Sequence, residues 1–238
     1  LATIFALLTI YFYGNYVGQV WRLSQAVSKD GAYISPLALS YQSAMMIGVV
    51  AVHWAVVRKS ALQTFALGAL VILLAVPFFL GSSRGSVIGL GLVIVFFTLF
   101  WPGLKRRVFF TFGSTCVFLA SLVLQEYLGG GIFSRMANIQ ADIEAGSSSA
   151  IRLIMWREVF EQFLNSPFFG NSLQQEGFRH HPHNMFIEVL ISTGVLGIVP
   201  FFLFILFVFK EAIRVVRNCP DRSWVVVVFL VGFASNMF

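Results

Sequence analysis

The sequence predicts an all-α integral membrane protein, a helix bundle interrupted by one long external loop. Three observations predict it. Of 238 residues, 58% are hydrophobic and only 11% charged, and the mean hydropathy is +0.84, outside the range of soluble domains. Apolar runs close to the ~20 residues of a spanning helix recur along the chain. The basic residues, finally, gather in a few short connections instead of spreading evenly.

Taken in order, the runs 1–20, 35–57, 61–80, 85–104 and 108–124 read as five spanning helices, which make up a first membrane part, 1–124. A polar stretch, 125–184, follows as the loop. The run 185–209 supplies a sixth span and 224–238 a seventh that is cut short, together the second membrane part, 185–238. Because the chain opens on Leu1 and stops inside an apolar run, it reads as a piece of a longer protein. The first run lacks the charged start and small-residue cleavage site of a removable leader.

Orientation follows from Lys and Arg, which short cytoplasmic loops retain. Arg58-Lys59, Lys105-Arg106-Arg107 and the group Lys210, Arg214, Arg217 and Arg222 fall on one side when the helices alternate, and hold nine of the sixteen basic residues. The other side carries 21–34, the turn 81–84 and the long loop, with seven basic residues and seven of the ten acids. The loop is therefore expected to be external, which in a Gram-negative cell is periplasmic. The net charge of +6 is then a signal of topology and not of affinity for nucleic acid. Cys116 in an apolar run and Cys219 in a cytoplasmic connection imply no disulfide framework.

Within the loop, Gly129-Gly130-Gly131 breaks the preceding helix and Ser147-Ser148-Ser149 offers caps for a new one over 151–164. Ile151, Ile154, Met155, Val159 and Phe163 recur at helical spacing, and Arg157 and Glu161 form an i,i+4 pair. An amphipathic helix over the membrane mouth is expected. Pro167 and Gly170 end it, and 171–179 is expected to run on as a flexible leader to His180-His181-Pro182-His183-Asn184.

Three constellations carry candidate chemistry. In Ser82-Ser83-Arg84-Gly85 a guanidinium stands at the external end of the fourth span, at the depth of lipid phosphates. Its planar fork suits phosphate oxygens; the alternative is a residue that merely snorkels. Gly85 and Gly89 suit close helix packing. Arg152 and Trp156 lie one turn apart on the amphipathic helix, as a second phosphate contact with its neighbour or as an ordinary surface arginine and interfacial tryptophan. In the histidine segment, the spacing does not match the helical or x₃₋₅ patterns of zinc sites. Pro182 disfavours helix before His183 and suits a first turn after it, which puts His183 and Asn184 at the head of the sixth span, where free amides and the helix dipole favour anions. An imidazole, titrating ordinarily near ~6.5, can take a proton from a hydroxyl there.

The His183-Asn184 pair, nine residues and then Gly194-Val195-Leu196-Gly197, with Glu188 between, resembles the signature of the O-antigen ligase and polymerase family. Ser83-Arg84-Gly85 and Arg152 with Trp156 ahead of Pro167 and Gly170 fit the same pattern, so the resemblance covers about 81–209. It implies a multi-helix bundle of the GT-C type and a metal-independent, inverting glycosyltransferase without cofactor. The implied donor is an undecaprenyl-diphosphate-linked saccharide. The implied acceptor is the lipid A core for a ligase, or a second lipid-linked glycan for a polymerase of O-antigen or exopolysaccharide; membrane lipids surround both. It further implies that Arg84 and Arg152 hold the diphosphate, with Asn184 and Trp156 as further substrate contacts, and that His183 activates the acceptor hydroxyl. An N-terminal part of a full member is implied to lie outside this chain.

Two alternatives stay open at this point. Asp142-Ile143-Glu144 is a close acidic pair of the kind that helps hold a divalent ion in other GT-C enzymes, and His180 or His181 compete with His183 as the base. A transporter would use the same arginines and histidines to line a passage, but it calls for charge at mid-membrane, whereas the apolar spans hold almost none and His53 stands near the cytoplasmic end of the second.

Overall fold

The computed structural model describes residues 2–16, 35–56, 60–81, 83–127, 148–174 and 184–237. Every apolar run of the sequence contains a helix: α1 (Ala2–Tyr13), α2 (Pro36–Val56), α3 (Ala61–Gly81), α4 (Arg84–Phe100), α5 (Leu104–Tyr127), α6 (Ser148–Asn165), α7 (Met185–Asn218) and α8 (Trp224–Ser235). Short 3₁₀ turns at Gly14–Tyr16 and Pro220–Arg222 complete the elements, and no strand occurs among the described residues. Three helices are long and apolar enough to cross a membrane: Leu37–Val56, Ala61–Gly81 and Met185–Asn218, with mean hydropathies of 1.3, 2.4 and 2.5. Large apolar side chains such as Phe65, Ile72, Phe112 and Leu203 stand exposed along the helices. In water such a surface would aggregate, whereas in lipid it is the expected outer face. The protein is a multi-pass membrane protein.

Element ends follow local chemistry. The fourth span stops at Phe100 instead of 104 because Trp101 precedes Pro102, which forces it into an extended conformation, and Gly103 then turns at φ 84°. The helix restarts at Leu104, so the basic cluster Lys105-Arg106-Arg107 belongs to the first turn of α5. Arg107 folds back and donates from Nε and Nη2 to the Trp101 carbonyl at 3.2 and 2.9 Å.

The chain divides into two compact units, Leu1–Phe133 with Ile213–Ser235, and Ser134–Ala212 with Asn236–Phe238. In the first, α2 packs along α3 and α8 packs against both α2 and α4. Lipid removes most of the hydrophobic drive between helices, so close approach by small residues matters more. Gly48 of α2 faces Val227, and Gly89 of α4 faces Val231 and Ala234, so α8 sits in two glycine notches. The expected packing role of Gly89 is thereby met. At the α4–α5 corner, Phe97, Trp101 and Phe110 stack with centroids 4.9 to 5.6 Å apart. His53, Val52 and Val56 of α2 line a cavity of about 20 Å³ with Pro220, Asp221 and Trp224. That is room for a water and not for a saccharide.

Candidate active site

The start of α4, where Arg84 stands, is held through three buried serines, Ser40, Ser83 and Ser86. Ser40 on α2 lies 2.5 Å from the Ser86 hydroxyl, donates toward the Phe78 carbonyl (3.3 Å) and accepts from the Ser83 amide (3.3 Å). Ser86 in turn donates to the Ser83 carbonyl at 2.7 Å, and Ser43 to that of Leu39 at 2.6 Å. Ser40, Ser43 and Ser86 are fully buried and Ser83 nearly so. Buried hydroxyls are costly unless paired, and here those of Ser40, Ser43 and Ser86 are paired. The turn between α3 and α4 is thus tied down, with Ser83 as N-cap and Arg84 as the first residue of α4.

The second unit is organised by a break in α7. Gly194 adopts φ 61°, ψ −158°, a conformation open essentially to glycine alone. The helix therefore consists of a short rod, 185–193, and a longer limb, 195–218. A break leaves backbone groups without helical partners, and inside a membrane they must be satisfied by protein. The turn after α6 does so. Val195 and Leu196 donate to the carbonyls of Pro167 and Phe168 at 2.8 and 3.3 Å, and Asn171 and Ser172 donate to the Ile191 carbonyl at 2.9 and 3.4 Å. The two chains cross at glycine on each side. A Cβ on Gly194 would overlap the Phe168 carbonyl, and one on Gly170, at φ 70°, would overlap that of Ile191.

Above this crossing, Met155 and Val159 of α6 bury against Ile187 and Ile191 of the rod. The expected amphipathic helix is present as α6, and its Arg157–Glu161 pair spans 3.8 Å between largely exposed side chains. One member of the expected apolar stripe is corrected: Ile154 is 53% exposed, while Gln162 is buried. Gln162 donates from Nε2 to Asn171 Oδ1 at 3.1 Å and to the Gln174 carbonyl at 3.3 Å. The segment expected to be a flexible leader is therefore held in its first part, 171–174, by backbone and side-chain bonds alike. Polarity alone hid this, because a Gln in register with Met155 and Val159 was the available signal.

The rod begins at Asn184, as Pro182 suggested. Asn184 is buried and caps the helix: its Oδ1 accepts from the amides of Phe186 and Ile187 at 3.1 and 3.3 Å, and its Nδ2 donates to the Met237 carbonyl at 3.4 Å. The Met185 amide donates to the Asn236 carbonyl at 3.0 Å. The amides expected to be free for an anion at this helix start are thus taken by the protein itself.

Among the sequence candidates, Arg152, Trp156 and Asn184 belong to one unit, on two helices packed together, and Trp156 is half-buried. Arg84 belongs to the other unit. His183 lies outside the described residues, as do His180, His181, Asp142 and Glu144. Among the described residues no group of three His, Cys, Asp or Glu converges.

No curated protein and no solved structure matches the chain. A family model described as O-antigen ligase matches residues 69–202, more than half of the 238. The matched stretch takes in the serine-tied turn, all of α6, and α7 past its break. On that match the chain belongs to the O-antigen ligase family, membrane enzymes of the ligase and polymerase type.

Proposed function

We propose that the protein transfers a saccharide from undecaprenyl diphosphate to an acceptor hydroxyl at the periplasmic face of the bacterial inner membrane, the lipid A core being the acceptor. The observation that carries this reading is the docking of α6, the helix of Arg152 and Trp156, on the rod that starts at Asn184, inside the stretch matched to the family. A helix on a locked junction is the kind of rigid support that holds reacting groups at fixed separation.

In the reaction, the bond between the anomeric carbon and the diphosphate oxygen breaks while the acceptor oxygen attacks from the opposite face. The configuration inverts. Negative charge moves onto the leaving diphosphate, where Arg84 and Arg152 stabilise it with bidentate hydrogen bonds. His183 takes the proton of the acceptor hydroxyl. Asn184, its Oδ1 occupied by the cap, has a second amide hydrogen to offer the sugar, and Trp156 gives the saccharide an apolar face. Because the arginines supply the charge and the donor carries its own activation, the reaction needs neither metal nor nucleotide.

The test is transfer from a lipid-linked donor to purified lipid A core by the complete reconstituted protein, with chelator present. His183→Ala should abolish transfer while His180→Ala and His181→Ala retain much of it. Equal tolerance at all three positions, or activity that follows added divalent metal, would overturn the assignment in favour of Asp142 and Glu144. Chain growth on a second lipid-linked glycan, without transfer to core, would make the enzyme a polymerase.

A further inference from the structure

The turn that braces the α7 break carries an apolar surface that the proposed chemistry does not use. Phe168 and Phe169 in the turn and Leu173 beyond it are 65%, 75% and 72% exposed. A loop in water has no use for two adjacent exposed phenylalanines. Its depth can be worked out from α7.

After Glu188 the next charged residue of α7 is Lys210, which is exposed and marks the cytoplasmic end of the apolar limb. Gly194 lies sixteen residues before it, about 24 Å at ~1.5 Å per residue. A hydrocarbon core about 30 Å thick then places the break within about 6 Å of the outer boundary, and helix tilt brings it deeper. The Pro167 and Phe168 carbonyls are bonded to the amides just after the break, so the turn sits at the same depth.

Two further observations agree. The turn's backbone is tied in part to itself: Gly170 donates to the Ser166 carbonyl at 3.0 Å, and the Ser166 hydroxyl donates to the Gly170 carbonyl at 2.9 Å, besides the bonds to α7. Bonds of this kind are what non-helical backbone needs at membrane depth. The patch also continues the lipid-facing surface of α7, where Leu196, Val199 and Leu203 are 57%, 51% and 60% exposed, because Leu196 is itself bonded to Phe168.

We propose that this turn is a membrane anchor, with Phe168, Phe169 and Leu173 inserted into the acyl-chain boundary of the outer leaflet. α6 then lies in the interface, its Arg157–Glu161 face toward water, held from below by lipid and from the side by the rod. The inference depends on α7 as a spanning helix and is independent of which residue acts as base.

To test it, single cysteines replacing Phe169, Leu173, Arg157 or Leu203 are labelled with an environment-sensitive fluorophore in the complete protein with Cys116 and Cys219 changed to Ser. The protein is reconstituted in phosphatidylethanolamine and phosphatidylglycerol vesicles. Nitroxide lipids should quench the labels at 169 and 173 to within about twofold of that at 203, and aqueous iodide should reach them at least about fivefold less than the label at 157. Free access of iodide to both would overturn the proposal. So would protection from both quenchers, which means protein covers the turn, or quenching by lipid that vanishes when lipid-linked donor is added, which makes the patch a donor site. Leu173→Cys keeps the test decisive if Phe169→Cys does not fold.

Discussion

Replacing Gly194 by alanine should damage this protein out of proportion to one methyl group. Holding a non-glycine residue at φ 61°, ψ −158° costs ~1–3 kcal/mol. The new Cβ would meet main-chain atoms of Phe168 and Phe169, which cannot rotate away, so the crossing must open. That weakens the Val195–Pro167, Leu196–Phe168 and Asn171–Ile191 bonds, at ~0.6 kcal/mol each inside a membrane protein. The sum is about 3–5 kcal/mol, and at ~2–4 °C per kcal/mol for a chain of this size the melting temperature should fall by on the order of 10 °C. Two further glycines calibrate it. Gly197 is helical, but a Cβ there would overlap the Thr193 Cβ, which no rotamer change moves, so alanine at 197 should also destabilise, without the cost of a left-handed backbone. Gly68 has nothing within 4 Å, so alanine there should be neutral or slightly stabilising. Thermal melts of the three variants in detergent, followed by circular dichroism and by monomer recovered after heating, give the ranking. Gly194→Ala melting with Gly68→Ala would show that the crossing does not hold the unit together.

The remaining predictions concern orientation, charge and register. A cysteine at Ser147 should react with a membrane-impermeant thiol reagent in intact spheroplasts and one at Arg106 should not; the reverse pattern would invert the topology and remove the site from the periplasm. Arg84→Lys and Arg152→Lys keep the charge but lose the fork, so transfer should drop by on the order of 10²-fold with membrane expression unchanged. Full activity in both would make these arginines anchors. One alanine inserted between Val189 and Leu190 turns the head of the rod by about 100° against the crossing and carries Ile187 away from Met155 and Val159; transfer should be lost and the melting temperature should fall, and retained transfer would mean that the rod sets no geometry.

Existence and order of the helices were legible because apolar runs of spanning length have few other readings, and Trp101-Pro102-Gly103 shows how a local rule then trims one of them. The break in α7 was not legible. Val195 and Leu196 continue the apolar run straight through Gly194, and a lone glycine in such a run is compatible with helix. On α6, Ile154 stands 53% exposed and Gln162 is buried, against their polarity. The reason is physical: at a membrane surface the apolar face can meet lipid as well as protein, so hydrophobicity no longer distinguishes the two, while a buried amide is stable wherever it finds acceptors, here Asn171 and the Gln174 carbonyl. The arginines and the histidine were chosen for their chemistry, and backbone position adds to that choice only where a helix fixes it, as at the first residue of α4.

The nine residues between Asn184 and Gly194 therefore have the meaning of a length. Asn184 fixes where the rod begins by capping it, and Gly194 fixes where it ends by a conformation that no other residue holds at low cost. Between them run nine helical residues, about 13 Å at ~1.5 Å each. One end is bonded to residues 236 and 237, the other to the turn after α6, so the rod is fixed at both. A change of side chain inside it alters packing, but a change of count alters where Asn184 stands relative to α6. A spacing of this kind constrains the chain more tightly than the identity of most residues within it, since Ile187 and Ile191 need only be apolar to receive Met155 and Val159. A motif written as two polar residues, a gap and two glycines thus describes one mechanical part: a cap, a rod and a locked end.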